Sequence, residues 1–359
     1  MNSQIRQRII ESAITAPNVD NAQPFFFRWE GSGFWFFEMK TVTAGVEMRK
    51  LYFDGRPGCL LECINIAASG EGLRTEIDFR YNVKNSDEPW TIITFHPDRS
   101  KSDELLPGLK LRSSDRRLYR GGNLTDQVFK QVSADAAQFQ KCRLHFQNSF
   151  DQNLIDYLLG CEEFIWTDKH ILPEMLSWVR WSQQAVQRTR DGLPWQAMGV
   201  NFLTSRLMRF VAKFEWFRKL ARRSGGPLRS QKRILEAQVR SSAALGCITV
   251  QDSQLETMVQ LGRLFLRAWV RLNMAGFGVQ VMANPSIDVF QHVIGILPED
   301  YPTRSKQNFA RGGKILARAF NLAEGEVPAW MFRTGKSSPL PAEMRTLRLP
   351  LSNTLRSEI

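Results

Sequence analysis

Histidine and cysteine are scarce in this chain of 359 residues, with four of the first and five of the second. The cysteines lie at 59, 63, 142, 161 and 247, an odd number, and the histidines at 96, 145, 170 and 292 do not cluster near them. Cys59 and Cys63 stand one helical turn apart, too few for a structural zinc site without histidine support. Reduced, buried thiols are therefore the expectation, and no metal is expected. No run approaches the roughly 18 apolar residues that a bilayer-spanning helix needs. The first ten residues mix polar and apolar positions without the apolar core of a signal peptide, so a soluble, cytoplasmic protein is expected. Gly31-Ser32-Gly33 lacks the third glycine of a dinucleotide fingerprint and lies between two strand-like runs, which argues against a Rossmann FAD or NAD site. No recognised nucleic-acid module accompanies the basic charge.

Aromatic residues and positive charge are plentiful. Twenty-four Phe and ten Trp point to a core, or a seam between halves, filled by flat rings. The net charge of +12 favours an anionic partner, whether a phosphate-bearing cofactor, a nucleic acid or a membrane surface. The length suggests two domains or an internal duplication.

Helical spacing over 4–16 puts Ile5, Ile9, Ile10, Ala13 and Ile14 on one face and stops at Ala16-Pro17. Phe25 to Trp29 and Phe34 to Met39 read as a hairpin, 58–69 as a helix, and Arg74 to Tyr81 and Trp90 to His96 as strands. A polar crossover at 97–125 leads to helices over 121–140, 151–164 and 169–185, with a short strand at Arg143 to Phe146. The helix Gly262 to Met274 runs into Ala275-Gly276 before a strand, as the 58–69 helix runs into Gly70, which hints at a pseudo-repeat. The segment 334–359 reads as a tail wrapping the surface.

Two segments are candidates for chemistry. In Ala16-Pro17-Asn18-Val19-Asp20-Asn21-Ala22-Gln23-Pro24-Phe25, Asn and Asp beside Pro make a rigid turn whose amides can face a ligand, or simply stop a helix. In Leu111-Arg112-Ser113-Ser114-Asp115-Arg116-Arg117-Leu118-Tyr119-Arg120, forked guanidinium donors and hydroxyls make either a phosphate clamp or a solvated basic linker.

The Ala-Pro-x-x-x-Asn-x-Gln-Pro-aromatic run and the Arg-Ser-Ser-x-Arg-Arg-x-Tyr run resemble segments of the nitroreductase family of FMN-dependent enzymes. In ordinary members the Arg-Ser segment precedes the turn and the enzyme is a homodimer. Here the order is reversed, which is similar to the internally duplicated, single-chain subfamily often called Acg-type. Asp191-Gly192-Leu193, the 262–278 stretch, Phe332-Arg333-Thr334-Gly335 and Arg348-Leu349-Pro350-Leu351 extend the resemblance from about residue 5 to 352.

The resemblance implies an α+β fold of two nitroreductase-like halves, 1–110 and 111–333, each a mainly antiparallel sheet flanked by helices. The halves would be fused as an intramolecular pseudo-dimer, with 334–359 as a wrapping tail, and the whole would be a monomer or a dimer of such chains. It implies one FMN, with Arg112, Ser113, Ser114 and Arg116 on the phosphate and ribityl chain. Pro17, Asn18, Val19 and Asn21 would approach the flavin, Asp191, Gly192 and Leu193 would lie along its ring edge, and Arg348 would reach in from the tail. Hydride transfer would then need no His or Cys constellation, because the flavin carries the chemistry. NAD(P)H is the default donor and a small molecule the substrate, with a flavin-storage protein or a dehydrogenase of a biosynthetic pathway as alternatives. Three positions depart from the family pattern: Phe25 where Trp is usual, Asn18 where Ser is common, and Thr346 where a second cation is frequent, leaving Arg345 as its substitute.

A separate basic segment covers 203–240. Leu203, Leu207, Phe210, Phe214 and Phe217 form one apolar stripe among Arg206, Arg209, Lys213, Arg218, Lys219, Arg222 and Arg223. The ordinary expectation is a helix packing this stripe onto the core. A lid over the flavin and an anionic-membrane or protein-partner surface are the others.

Overall fold

A computed structural model describes residues 2–31, 33–38, 50–80, 89–168, 171–299 and 301–356. The first helix, α1 (Ser3–Ala13), is capped by Asn2, whose side chain accepts from Ile5 N at 2.9 Å, and it buries Ile9, Ile10 and Ala13. After the turn come β1 (Phe25–Glu30) and β2 (Gly33–Glu38), a hairpin in register from Phe25 opposite Glu38 to Glu30 opposite Gly33. Alternate residues Phe25, Phe27, Phe34 and Phe36 are buried, so the inner face of this hairpin is one part of the expected aromatic core. Helix α2 (Lys50–Ser69) and strands β3 (Leu73–Phe79) and β4 (Thr91–Pro97) complete the first unit. The Met39 and Tyr81 ends of the expected strands lie outside the described residues.

The second unit opens with α3 (Asp126–Ala136) and β5 (Cys142–Gln147). A long insertion follows, made of α4 (Gln152–Thr167), α5 (Ile171–Ser177), β6 (Val179–Arg180), α6 (Gln183–Thr189), β7 (Leu193–Pro194), α7 (Phe202–Lys213), α8 (Glu215–Ser224) and α9 (Gly226–Arg240). The chain then returns through β8 (Ala244–Val250), α10 (Leu255–Met274), β9 (Phe277–Val281), α11 (Asn284–Val293), α12 (Thr303–Phe320) and β10 (Val327–Lys336). It ends in α13 (Leu351–Thr354) and β11 (Leu355–Arg356).

The protein is α+β, and its two larger sheets repeat one plan. Their strand orders are β1-β2-β4-β3 and β5-β8-β10-β9, with every one of these pairings antiparallel. In each, a helix and two strands precede a 20-residue helix and two further strands. The tail strand β11 crosses back to pair parallel with β1 of the first sheet, Leu355 beside Phe27.

The two long helices, α2 and α10, pack along each other at the seam. Their approach is close: a Cβ on Gly58 would lie 2.1 Å from the carbonyl oxygen of Val259 and 3.0 Å from Cα of Gly262. Beside this contact sits a buried ionic cluster. Arg267 reaches Glu62 at 2.8 Å, Asp103 at 2.7 Å and Asp135 at 3.1 Å, while Arg263 also pairs with Glu62 at 2.7 Å. Arg271 joins Asp135 at 2.9 Å to Glu104 at 2.5 Å. One set of side chains thus ties α2, the crossover, α3 and α10 together.

Two expectations are corrected. The single helix over 169–185 is instead α5 and α6, separated by β6 paired parallel with β7, and Ser182 restarts the helix by accepting from Ala185 N at 3.1 Å. The apolar stripe of α7 does not pack onto the core. Ser205, Met208 and Val211 face inward, and Leu203, Leu207 and Phe210 face outward.

Candidate functional site

The cavity where the two units and the insertion meet has a volume of about 480 Å3, within the usual range for a small-molecule site. Its wall takes residues between 15 and 21 from the first unit, Leu109, Lys110, Arg112 to Ser114 and Arg116 from the crossover, residues between Leu261 and Trp269 from α10, 280–285 from the end of β9 into α11, and residues between 340 and 348 from the tail. Helices α4, α5, α7 and α9 close the remaining side.

The turn at 16–25 is held in an uncommon conformation. Asp20, Asn21 and Gln23 have φ of 51°, 56° and 51°, the left-handed region that non-glycine residues rarely occupy. Buried side-chain amides keep it there. Asn21 donates to Gly192 O at 3.1 Å and Leu347 O at 3.0 Å, and Gln23 donates to Arg190 O at 2.9 Å while accepting from Leu349 N at 2.8 Å. Asn18 accepts from Gln23 N at 2.8 Å. The turn is therefore the knot joining the tail to the 190–193 segment, and Pro17, Asn18, Val19 and Asn21 all border the cavity.

Positive charge gathers at the same end. Arg112 lies over the Trp269 ring at 4.5 Å and donates to Thr15 O at 3.1 Å, while its buried Nε has no acceptor. Arg348 donates to the same Thr15 oxygen at 3.1 Å, to Ile14 O at 2.8 Å and to Asn21 Oδ1 at 2.7 Å. Lys110 and Arg345 border the cavity here too, with Arg345 donating to Lys110 O at 3.4 Å. Among the described residues, neither Arg112 nor Arg348 pairs with a carboxylate. Burial lowers the pKa of both guanidinium groups, and the neighbouring cation lowers it further, Arg345 for Arg112 and Arg112 for Arg348. Asp20 also borders the cavity and its charge acts on Arg116, but Lys110, Arg112, Arg345 and Arg348 outnumber it, so this end of the cavity is suited to an anion.

Ser113 and Ser114 are fixed through their backbones. Ser113 N donates to Asn273 Oδ1 at 2.9 Å and its carbonyl accepts from Trp269 Nε1 at 3.1 Å, while Ser114 bridges to Val279. Their side chains border the cavity and make no hydrogen bond among the described residues. Arg116 also borders it and donates to Ala197 O at 3.1 Å. The next residue turns away from the cavity. Arg117 pairs with buried Asp115 at 2.8 Å and donates to Ser338 O at 2.7 Å. The basic segment is thus divided between cavity and scaffold.

The other expected residues are divided in the same way. Leu193 is on the cavity wall, but Asp191 and Gly192 stand behind it. Asp191 is engaged by Arg180 at 2.7 Å, and Gly192 (φ 67°) could carry no Cβ, which would meet Trp178 O at 2.4 Å. Phe332 to Gly335 lie inside β10, where fully buried Arg333 donates to Gln280 Oε1 at 2.6 Å and to Arg117 O at 2.7 Å.

No protein-family model and no curated protein matches the chain. Among solved structures, it is similar to a nitroreductase with bound FMN from Desulfitobacterium hafniense, at 10% identity and a TM-score of 0.38 over 71% of this chain and 97% of that one. It is similar to an FMN-dependent nitroreductase from Mycobacterium smegmatis in complex with NADPH, at 11% identity and a TM-score of 0.38 over 69% and 95%. A nitroreductase-like family protein from Bacillus cereus matches at 8% identity and a TM-score of 0.35 over 72% and 97%.

The far side of the cavity is apolar and made by the insertion, including Leu158, Ile165, Ile171, Met175, Met208 and Leu235. One carboxyl interrupts it. Glu162 accepts from Trp166 Nε1 at 3.1 Å and is hydrogen-bonded by Gln231, yet burial outweighs both and raises its pKa. Sequence reading missed Glu162, because one acid on an apolar helix carries no signal before the fold surrounds it. A folded pKa above the unfolded one means that stability is fully present below the unfolded value of about 4.3 and is lost as pH rises through the folded value. Glu162→Gln is expected to melt at nearly the wild-type temperature near about pH 4.5 and above it near about pH 7.5. Thermal melts at both pH values check this, and an equal gap at the two would show that Glu162 does not titrate late. All five cysteines are buried and unpaired, as expected. No helix among the described residues is long and apolar enough to cross a membrane.

Proposed function

We propose that the cavity holds FMN and that the chain is an FMN-dependent oxidoreductase of the nitroreductase type. The observation that carries this reading is the convergence of Arg112 and Arg348 on one carbonyl without a carboxylate between them, with Arg112 Nε left unpartnered in a buried position. A phosphate dianion supplies both the missing charge and the missing acceptor. In this reading Arg112, Lys110 and Arg345 hold the phosphate, and Ser113, Ser114 and Arg116 donate along the ribityl chain. Pro17, Asn18, Val19 and Leu193 face the ring. Arg348 spends four of its five donors on Ile14, Thr15, Asn21 and Thr346, so it contributes its field and one remaining N–H. Asn21, on the cavity wall, holds the turn and Arg348 in place, while Asp191 and Gly192 brace these groups from behind.

Bound FMN supplies hydride transfer between a nicotinamide donor, NADH or NADPH, and a small-molecule acceptor. The chain's own work is to bind, orient and exclude water, the last through the apolar wall of α4, α5 and α7. The shared strand order of the two sheets supports a fused pseudo-dimer of halves 1–110 and 111–333, with the tail expected from 334 starting only after β10 ends at Lys336. The basic Arg-Ser segment occurs once, so one flavin per chain is expected.

Titration of the purified chain with FMN, followed by anaerobic addition of NADPH or NADH, tests the proposal. Binding near one equivalent and bleaching of the flavin band near roughly 450 nm are expected. A colourless protein that takes up no added FMN overturns it. Bound flavin that stays oxidised with both donors leaves a storage protein in place of an enzyme.

A further inference from the structure

Residues 201–240 hold eleven Lys and Arg against two acids, Glu215 and Glu236. Nine of the chain's twelve net positive charges therefore sit in about a ninth of its length. They lie on α7, α8 and α9. Helix α7 turns Met208 to the cavity, while its outer face carries Phe202, Leu203, Leu207 and Phe210, and α8 continues that surface with Trp216 and Leu220. These six side chains are 44–78% exposed. Ring contacts carry the patch across the helix junction, Phe210 to Phe214 at 6.0 Å and Phe214 to Trp216 at 6.3 Å between centroids. Exposed Arg206, Arg209, Lys213 and Arg223 are interleaved with it and pair with no carboxylate among the described residues.

We propose that the outer face of α7 and α8 is a docking surface for an anionic lipid bilayer. Large apolar side chains gathered on one face of a water-exposed surface mark an interaction site. An apolar stripe of Leu, Phe and Trp flanked by Lys and Arg is the pattern of a helix lying in a membrane interface, with the rings and leucines at acyl depth and the cations on headgroup phosphates. A second copy of the chain does not fit. A two-fold contact would oppose this basic face to itself, and like charges across an interface are strongly unfavourable. A nucleic acid would satisfy the cations but would leave Leu203, Leu207 and Leu220 against water. The inference does not rest on the flavin reading, since the face is present whatever fills the cavity.

Co-sedimentation of the full chain with phosphatidylcholine vesicles, with and without about 30% phosphatidylglycerol, tests it. Binding to the anionic vesicles alone, weakened by salt, is expected. Leu203→Ser with Trp216→Ser should cut partitioning at least about tenfold at unchanged melting temperature. Arg206→Glu, Arg209→Glu and Lys213→Glu together should cut it by more than about a hundredfold, at roughly fivefold for each basic residue. The charge-matched set Arg120→Glu, Lys130→Glu and Lys336→Glu, outside the patch, should leave binding intact. The proposal is overturned by absent vesicle binding, by equal loss in the two charge-reversed sets, or by a serine variant that binds like wild type. Polynucleotide binding that is insensitive to the serine changes, without vesicle binding, overturns it as well.

Discussion

Arg112→Ala combined with Arg345→Ala will release FMN while leaving the folded chain as stable as before, or slightly more so. Each charge-assisted bond to a phosphate contributes about 1.5 to 3 kcal/mol, so losing two weakens binding by roughly a hundredfold to ten-thousandfold. The two effects diverge because of the ligand-free electrostatics. Arg112 sits near Arg348 and Arg345 with no acid between them, and its main-chain anchor is one bond to Thr15 O at 3.1 Å. Removing it relieves repulsion on Arg348 and costs one hydrogen bond and a ring contact, which nearly cancel. An arginine with a purely structural role would behave in the opposite way, lowering the melting temperature without touching FMN. Fluorescence titration of the variant, beside a thermal melt, separates these. Unchanged FMN affinity removes the phosphate assignment at Arg112.

Why is this site partly visible in the letters alone? The turn at 16–25 is legible because left-handed backbone at Asp20 and Asn21 suits short polar side chains beside proline, which the sequence displays, whereas Gln23 is held there by its hydrogen bonds to Asn18, Arg190 and Leu349. The basic segment is legible through its density of Arg and Ser. Its division is not. Arg112 and Arg116 border the cavity while Arg117 is locked to Asp115, and only the path of the backbone beside Val279 decides which is which. Lys110 lies one residue outside the segment whose pattern is visible, and Glu162 stands on an apolar helix where no local pattern announces it.

The fold shows the same boundary. Strands with one buried face, such as β4, alternate and are readable. Strand β8 is buried at all seven positions and β10 at eight of ten, so neither has a period to detect. Without them the repeated strand order stays hidden, because it becomes evident only when both sheets have four members. Helix α7 shows a different limit. Periodicity locates its apolar stripe but not the direction it faces, since the opposite face offers Met208, Val211 and small Ser205 for burial.

Glu62→Ala is expected to destabilise the protein by about 3 to 5 kcal/mol. The side chain is 1% exposed and takes an arginine on each oxygen, Arg263 on one and Arg267 on the other. Deleting it takes the carboxylate from Arg263 and one of three from Arg267, leaving guanidinium N–H groups without an acceptor and a cavity that water cannot fill without opening the seam. Glu104, in the same network, is the contrast: it is 68% exposed, so Glu104→Ala should cost less than about 1 kcal/mol despite a shorter contact with Arg271. Denaturant titrations of both variants measure the difference, and near-equal losses would show that burial does not govern this cluster. A coupled effect on the cavity is also expected. Gly262, Phe265 and Trp269 border it from the helix face that Glu62 helps to seat, and Gly58 leaves no slack between α2 and α10 to absorb a shift. Glu62→Ala should therefore weaken FMN binding as well as stability, whereas Arg112→Ala with Arg345→Ala weakens binding alone. Measured together, the two variants distinguish the groups that contact the ligand from those that hold its wall.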